Sequence, residues 1–176
     1  MQFKQILQSY GIALCVAMAA VNSVAAAPGA GDLPPKEIGK TITGETLTVN
    51  DYAGKVVVVS FWATWCKYCL KELPVLEKIQ EVGGSDKVQV IAVNTEERAV
   101  FVKATRALKD FSMKLAYDPD KAIAHAYGVK GIPHLVIIGR DGHIVKVYRG
   151  YGEESLEGIA EDLNHALETP AEPAMK

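Results

Sequence analysis

Cys66 and Cys69 carry the chemistry that is easiest to read in this chain. They stand three positions apart in Phe61-Trp62-Ala63-Thr64-Trp65-Cys66-Lys67-Tyr68-Cys69, directly after the apolar run Val56-Val57-Val58-Val59 and before an amphipathic segment. Two cysteines at this spacing at the start of a helix lie on one face within one turn. They can close a small disulfide and reopen it without moving the fold. Unpaired N–H groups at the helix start favour the thiolate of the first cysteine by about 1 kcal/mol. That is the chemistry of a dithiol oxidoreductase, with Cys66 as nucleophile and Cys69 as resolving thiol. The thiolate of Cys66 attacks a substrate disulfide, and Cys69 then attacks the mixed disulfide and releases the substrate.

Cys69 must lose a proton before it can attack. Glu72 lies three residues further on the same helical face, and partial burial would raise its pKa into the range that suits a general base. The alternative is a Glu in the first turns that merely favours the helix dipole. Trp65 would lay a flat apolar surface beside the thiolate, while Trp62 reads as core. Lys67 adds a cation that water largely screens.

The positioning elements follow from periodicity. The β-branched run Val56–Phe61 reads as a strand buried on both faces. After Cys66, a helix places Leu73, Leu76 and Ile79 on one side and Lys71, Glu77 and Lys78 elsewhere. Pro74 inside it removes a hydrogen bond and should kink it. Gly83-Gly84 ends it. Val88–Val93 reads as a second buried strand and Glu96–Phe111 as a helix, with Val100, Phe101, Ala104, Leu108 and Phe111 inward. Asp118-Pro119-Asp120 caps a short helix through Tyr127. Leu135–Ile138 and Ile144–Tyr148 form a hairpin about Gly139-Arg140-Asp141-Gly142. Leu156, Ile159, Ala160, Leu163 and Leu167 form the stripe of a last helix. A short hairpin over Thr41–Val49 precedes all of this. The expected fold class is α/β, a central mixed sheet with helices on both faces.

Length and composition bound the rest. A chain of 176 residues with a formal net charge of −2 suits one compact domain and carries no basic stripe, so nucleic acid is not an expected partner. No acid occurs before Asp32, and the apolar core Gly11–Val21 is followed by small residues around Val24-Ala25-Ala26. This reads as a secretory signal peptide over 1–26, with cleavage after Ala26 or Ala25. An uncleaved anchor and a lipid-modified Cys15 are the alternatives. Residues 27–35 read as a linker, 36–167 as the domain and 168–176 as a mobile tail. Cleavage leaves Cys66 and Cys69 as the only cysteines. So short a loop gains little stability from closure, which argues against a structural staple.

Gly54–Cys66, then Cys69-x-x-Glu72-Leu73-Pro74, with Gly131-Ile132-Pro133 before an apolar strand, resembles the TlpA/ResA branch of thioredoxin-like proteins. The likeness runs from about Pro35 to Leu167. It implies a thioredoxin-like fold with an added βα insertion, here within Val88–Ala116. It also implies an exported thiol–disulfide oxidoreductase, usually reducing and without a cofactor. Such a protein works in the bacterial periplasm as a monomer, is recharged by a membrane-bound electron donor, and acts on protein disulfides such as those of apocytochrome c or copper-centre proteins. Ser60 stands where thioredoxins proper carry a buried Asp, and in the resembled branch a Glu at the Glu72 position lies near the active site. X-Pro bonds are cis in only about 5% of folded cases. The resemblance nevertheless implies a cis Ile132-Pro133 opposite the cysteines, with Trp65, Ile132 and Pro133 meeting the substrate as a short β-augmentation. His134 either touches the site or starts a strand with one wet edge. Tyr68 departs from the Pro common before the second cysteine, which leaves the direction of electron flow open.

Two other roles compete with the reductase. Cys66 and Cys69 with His134 could hold a soft ion such as Cu(I) in a copper-handling chaperone, although no second Cys-x-x-Cys completes a closed zinc site. A general periplasmic thiol oxidant would share the same architecture, but a DsbA-like one would need a large helical insertion for which Val88–Pro133 leaves too little room.

Overall fold

A computed structural model describes residues 26–171, apart from the side chains of 153–155. The expected signal peptide, up to residue 25, and the end of the tail, beyond residue 171, lie outside the described residues. The elements run β1 (Glu37–Lys40), β2 (Thr46–Thr48), a 3₁₀ turn (Val49–Tyr52), β3 (Val56–Trp62), α1 (Lys67–Gly83), β4 (Val88–Asn94) and α2 (Arg98–Ala107). They continue through β5 (Lys114–Tyr117), α3 (Ala122–Ala126), β6 (His134–Ile138), β7 (Ile144–Arg149) and α4 (Glu153–Glu168). One seven-stranded sheet is ordered β2-β1-β5-β4-β3-β6-β7. β3, β4 and β5 are parallel, and β6 runs antiparallel to both β3 and β7. This is the mixed sheet that the sequence implies.

β3 has neighbours on both edges and is buried along its whole length, which is why it reads as an unbroken valine run rather than an alternation. Its pleat sorts the side chains. Val56, Val58 and Trp62 pack with Leu73 and Leu76 of α1 and with Ile159, Leu163 and Ala166 of α4. Val57, Val59 and Phe61 pack on the opposite face with Ile38, Tyr52, Ile123 and Tyr127. Ser60 falls on the α1 side, and that placement matters below.

The structure corrects several expectations. The first hairpin begins earlier, with Glu37–Lys40 pairing to Thr46–Thr48 around a turn closed by Thr41 and Glu45. The helix expected over Glu96–Phe111 stops at Ala107, and a strand not foreseen, β5, extends the parallel set. A segment of four residues with mixed burial offers too little periodicity to separate it from a helix end. α2 and β5 lie in the stretch where the resemblance places an insertion. In α4, Ala166 is buried and Ala160 is exposed, so the stripe turns one step from the expected one. Pro74 lies inside α1, where the sequence places it.

Glu77 is not on a solvated face. It is buried, and its carboxylate accepts hydrogen bonds from Ser112 N (2.6 Å), Ser112 Oγ (2.7 Å) and Met113 N (3.1 Å). Burial alone would push its pKa up, but these three donors outweigh it and hold the group below the usual carboxylate range. Residues 27–35, expected as a linker, are tied to the sheet edge: Gly31 N donates to Ile144 O, and Ile144 N donates to Asp32 O. Tyr127 Oη donates to Pro35 O as well.

Candidate active site

Cys66 is the N-cap of α1. Its extended backbone (φ −85°, ψ 100°) lets its own side chain take the place of a capping Ser or Asp, and Cys69 N donates to Cys66 Sγ at 3.2 Å. One of the orphan donors of the helix start therefore points at the sulfur, the arrangement that stabilises a thiolate there. Cys66 and Cys69 are joined in a disulfide. Cys66 keeps 6% of its surface in contact with solvent and Cys69 none. An incoming sulfur can therefore reach Cys66 and not Cys69.

The loop before Cys66 is held from β4. Glu96 accepts from Thr64 N (2.6 Å), Thr64 Oγ1 (2.9 Å) and Asn94 Nδ2 (3.1 Å), and Asn94 Oδ1 in turn accepts from Glu96 N. This clamp fixes the turn that delivers Cys66 to the helix start. The sequence reading assigns Glu96 to a helix, because nothing local marks a partner 32 residues away.

Glu72 is 3% exposed and accepts a hydrogen bond from Ser60 Oγ, itself fully buried, at 2.7 Å. Burial drives the pKa of Glu72 up, and the Ser60 bond offsets only part of that rise. The residue replacing the thioredoxin Asp thus directly contacts the carboxylate on α1, a pairing the sequence reading did not make. An uncharged hydroxyl and a perturbed carboxyl thus face each other, the carboxyl carried three residues after Cys69 on the same helix.

The Ile132–Pro133 peptide is cis, as the resemblance implies. Ile132 O lies 3.8 Å from Cys66 Sγ, which brings this backbone against the disulfide. Trp65 is 72% exposed beside it, whereas Trp62 is buried in the core. Tyr68, between the cysteines, is exposed and stacks on Tyr151 with ring centroids 6.3 Å apart. Lys67 is exposed.

His134 overturns the expectation of a wet strand edge. β6 is an interior strand, His134 is 1% exposed, and its ring stands edge-on to Phe61 at 6.2 Å. Nε2 is buried with no hydrogen-bond partner. Burial first, and then Arg149, lower its pKa to about 4, so the imidazole is neutral. Among the described residues, Cys66, Cys69 and His134 do not gather into a metal-ligand set.

Comparison with known proteins is consistent with this geometry. Residues 30–163 match the sequence pattern of the Redoxin family. The thiol-disulfide oxidoreductase ResA of Bacillus anthracis is 30% identical over 129 residues, which cover 73% of this chain and 75% of that one. ResA of Bacillus subtilis (strain 168) is 29% identical over 126 residues, covering 72% and 70%. Among solved structures, a Chlorobium tepidum protein assigned as the thiol:disulfide interchange protein DsbE superposes with a TM-score of 0.69 at 27% identity. That match covers 80% of this chain and 99% of the other.

Proposed function

The chain belongs to the Redoxin family and is a thioredoxin-fold thiol–disulfide oxidoreductase of the ResA/DsbE type; from this we propose that it is a protein-disulfide reductase of the bacterial periplasm. The observation that carries the reading is the Cys66 sulfur, capped by Cys69 N–H and backed by a buried Glu72.

In the dithiol form the Cys66 thiolate attacks a substrate disulfide. A bond forms between Cys66 Sγ and one substrate sulfur, the substrate S–S bond breaks, and the other substrate sulfur leaves as a thiolate. Glu72 accepts the proton of Cys69, whose thiolate then attacks Cys66 Sγ. The Cys66–Cys69 disulfide forms, the mixed disulfide breaks, and the second substrate thiolate departs. Two electrons have passed to the substrate. A dithiol donor, read as a membrane-bound protein, returns them by the reverse exchange. Trp65, Ile132 and Pro133 hold the substrate segment as an added extended strand.

The reducing direction is supported by the small number of elements between β4 and β6. Only α2, β5 and α3 stand there, without the large helical insertion of a DsbA-like oxidant. Export rests on the apolar N-terminal segment, and the intended substrates are the cysteines of exported proteins, of the apocytochrome c or copper-centre kind.

The test is a trap. Cys69→Ser leaves Cys66 able to attack but removes the thiol that resolves the mixed disulfide, so the adduct persists. Expressed with its own leader, this variant should capture an apocytochrome or a copper-site protein, identified after non-reducing electrophoresis. Capture of many unrelated secreted proteins would assign a general oxidant or isomerase instead. Equal trapping by Cys66→Ser would overturn the assignment of Cys66 as the nucleophile.

A further inference from the structure

Beside the disulfide lies an open groove of ≈ 300 Å³, walled by Trp65, Thr95, Lys121, His125, Lys130 and Ile132. Trp65 immediately precedes Cys66, and Ile132 O is 3.8 Å from Cys66 Sγ. Whatever occupies the groove therefore touches the two residues, Trp65 and Ile132, that flank Cys66 Sγ.

The groove has a sign. No acidic residue lines it, although the chain as a whole carries a net charge of −2. Lys121 and Lys130 are exposed, and neither has an ion-pair partner among the described residues. The acids closest in sequence, Glu96, Glu97, Asp118 and Asp120, are all absent from its walls. Glu96 holds Thr64 and Asn94, Asp118 accepts from Ile123 N and Ala124 N, and Asp120 accepts from Ala122 N. Asp118 and Asp120 line a separate hollow with Glu37 and Lys40.

Lys121 also occupies an unusual backbone position. At φ 59° it is the one non-glycine residue with positive φ among the described residues, at the N-cap of α3. Gly or Asn would sit there at less strain. A long cationic side chain held in that conformation at the rim of a substrate groove points to a use for its charge.

We infer that this groove selects substrates by charge: it receives the segment flanking the target cysteine and favours segments that carry Asp or Glu. The inference rests on the oxidoreductase reading and names the substrate class for it. The apolar part, Trp65 and Ile132, supplies contact that any segment can use. Lys121 and Lys130 discriminate, because unlike charges steer encounter and like charges repel.

The experiment measures oxidation of the reduced protein by two peptides. Each is closed by one Cys-x-x-Cys disulfide, and the two differ only in whether Asp or Lys flanks the cysteines. At low salt the Asp peptide should react ~10-fold faster than the Lys peptide. The ratio should fall below ~2 in about 0.5 M salt and in Lys121→Gln/Lys130→Gln. A control of identical net charge, Lys103→Gln/Lys109→Gln on exposed positions elsewhere, should keep the full ratio. Equal rates for the two peptides in wild type, or equal loss of the ratio in both double variants, would overturn the inference and leave the oxidoreductase reading standing. Failure to react with either peptide and with uncharged hydroxyethyl disulfide would remove the oxidoreductase reading itself, and the inference with it.

Discussion

At the residue scale, the unusual pairing is Ser60 with Glu72. A buried carboxyl with a raised pKa is a poor anion and a good proton acceptor once a neighbour must ionise. Glu72→Gln keeps the shape and the ability to accept from Ser60 but removes the basicity. It should slow release of the mixed disulfide by ~10²-fold or more while leaving its formation nearly unchanged, as read by rapid quench of both steps. Ser60→Ala keeps the base and shifts its titration. Without the hydroxyl, less opposes the desolvation that raises Glu72, so the pH limb of the release step should move to higher pH. A limb that stays in place would reduce Ser60 to a packing residue. Cys66, Cys69 and Glu72 were visible in the sequence because they share one helix and its 3.6-residue period. Ser60 was not seen as their partner, since twelve residues and a strand-to-helix crossing separate it from Glu72.

At the element scale, the same contrast repeats. β3, α1, β4 and the β6–β7 hairpin were legible because burial on both faces, a helical stripe or a Gly-Asp turn writes itself into local order. β5 was not, and neither was its anchor. Glu77 looks like a surface residue by helical spacing, yet it bridges α1 to the chain entering β5 through Ser112 and Met113. Such long-range contacts leave no periodic trace. Glu77→Ala should strand the N–H of the buried Met113, at ~1–3 kcal/mol, and also lose the two bonds from the exposed Ser112. We expect a loss of about 2–4 kcal/mol in denaturant unfolding, with faster amide exchange over Ser112–Tyr117 than elsewhere. A loss below about 0.5 kcal/mol would mean that water replaces the carboxylate freely. Glu77→Gln should recover part of the loss, since one acceptor oxygen remains.

At the scale of the whole molecule, the sheet itself sets a pH limit through His134. Its imidazole stands on an interior strand between Phe61 on β3 and Arg149 on β7, its register partners on either side. Folded, it protonates near 4; unfolded, near its ordinary 6.5. Between those values the unfolded chain binds the proton more readily, so stability is fully present above about 6.5 and is lost as pH falls toward 4. At ~1.4 kcal/mol per unit the span amounts to on the order of 3 kcal/mol. Glu72 works against this. Its folded pKa is raised, so the folded state holds that proton more tightly than the unfolded chain, and stability recovers somewhat as pH drops through its window. Asp118, also raised, opposes the fall as Glu72 does, and Glu77, lowered, adds to it at its acid end; single substitutions separate these contributions. His134→Leu removes a buried nitrogen that has no partner, so the change should be nearly neutral at pH 7. It should also flatten the fall in urea midpoint between pH 6.5 and 4.5. Glu72→Gln should instead steepen that fall, since an opposing group is gone, while raising the midpoint at pH 7. If His134→Leu leaves the acid slope unchanged, a group whose folded pKa lies below its unfolded value carries it, and Glu77, held down by its three donors, is the next group to replace.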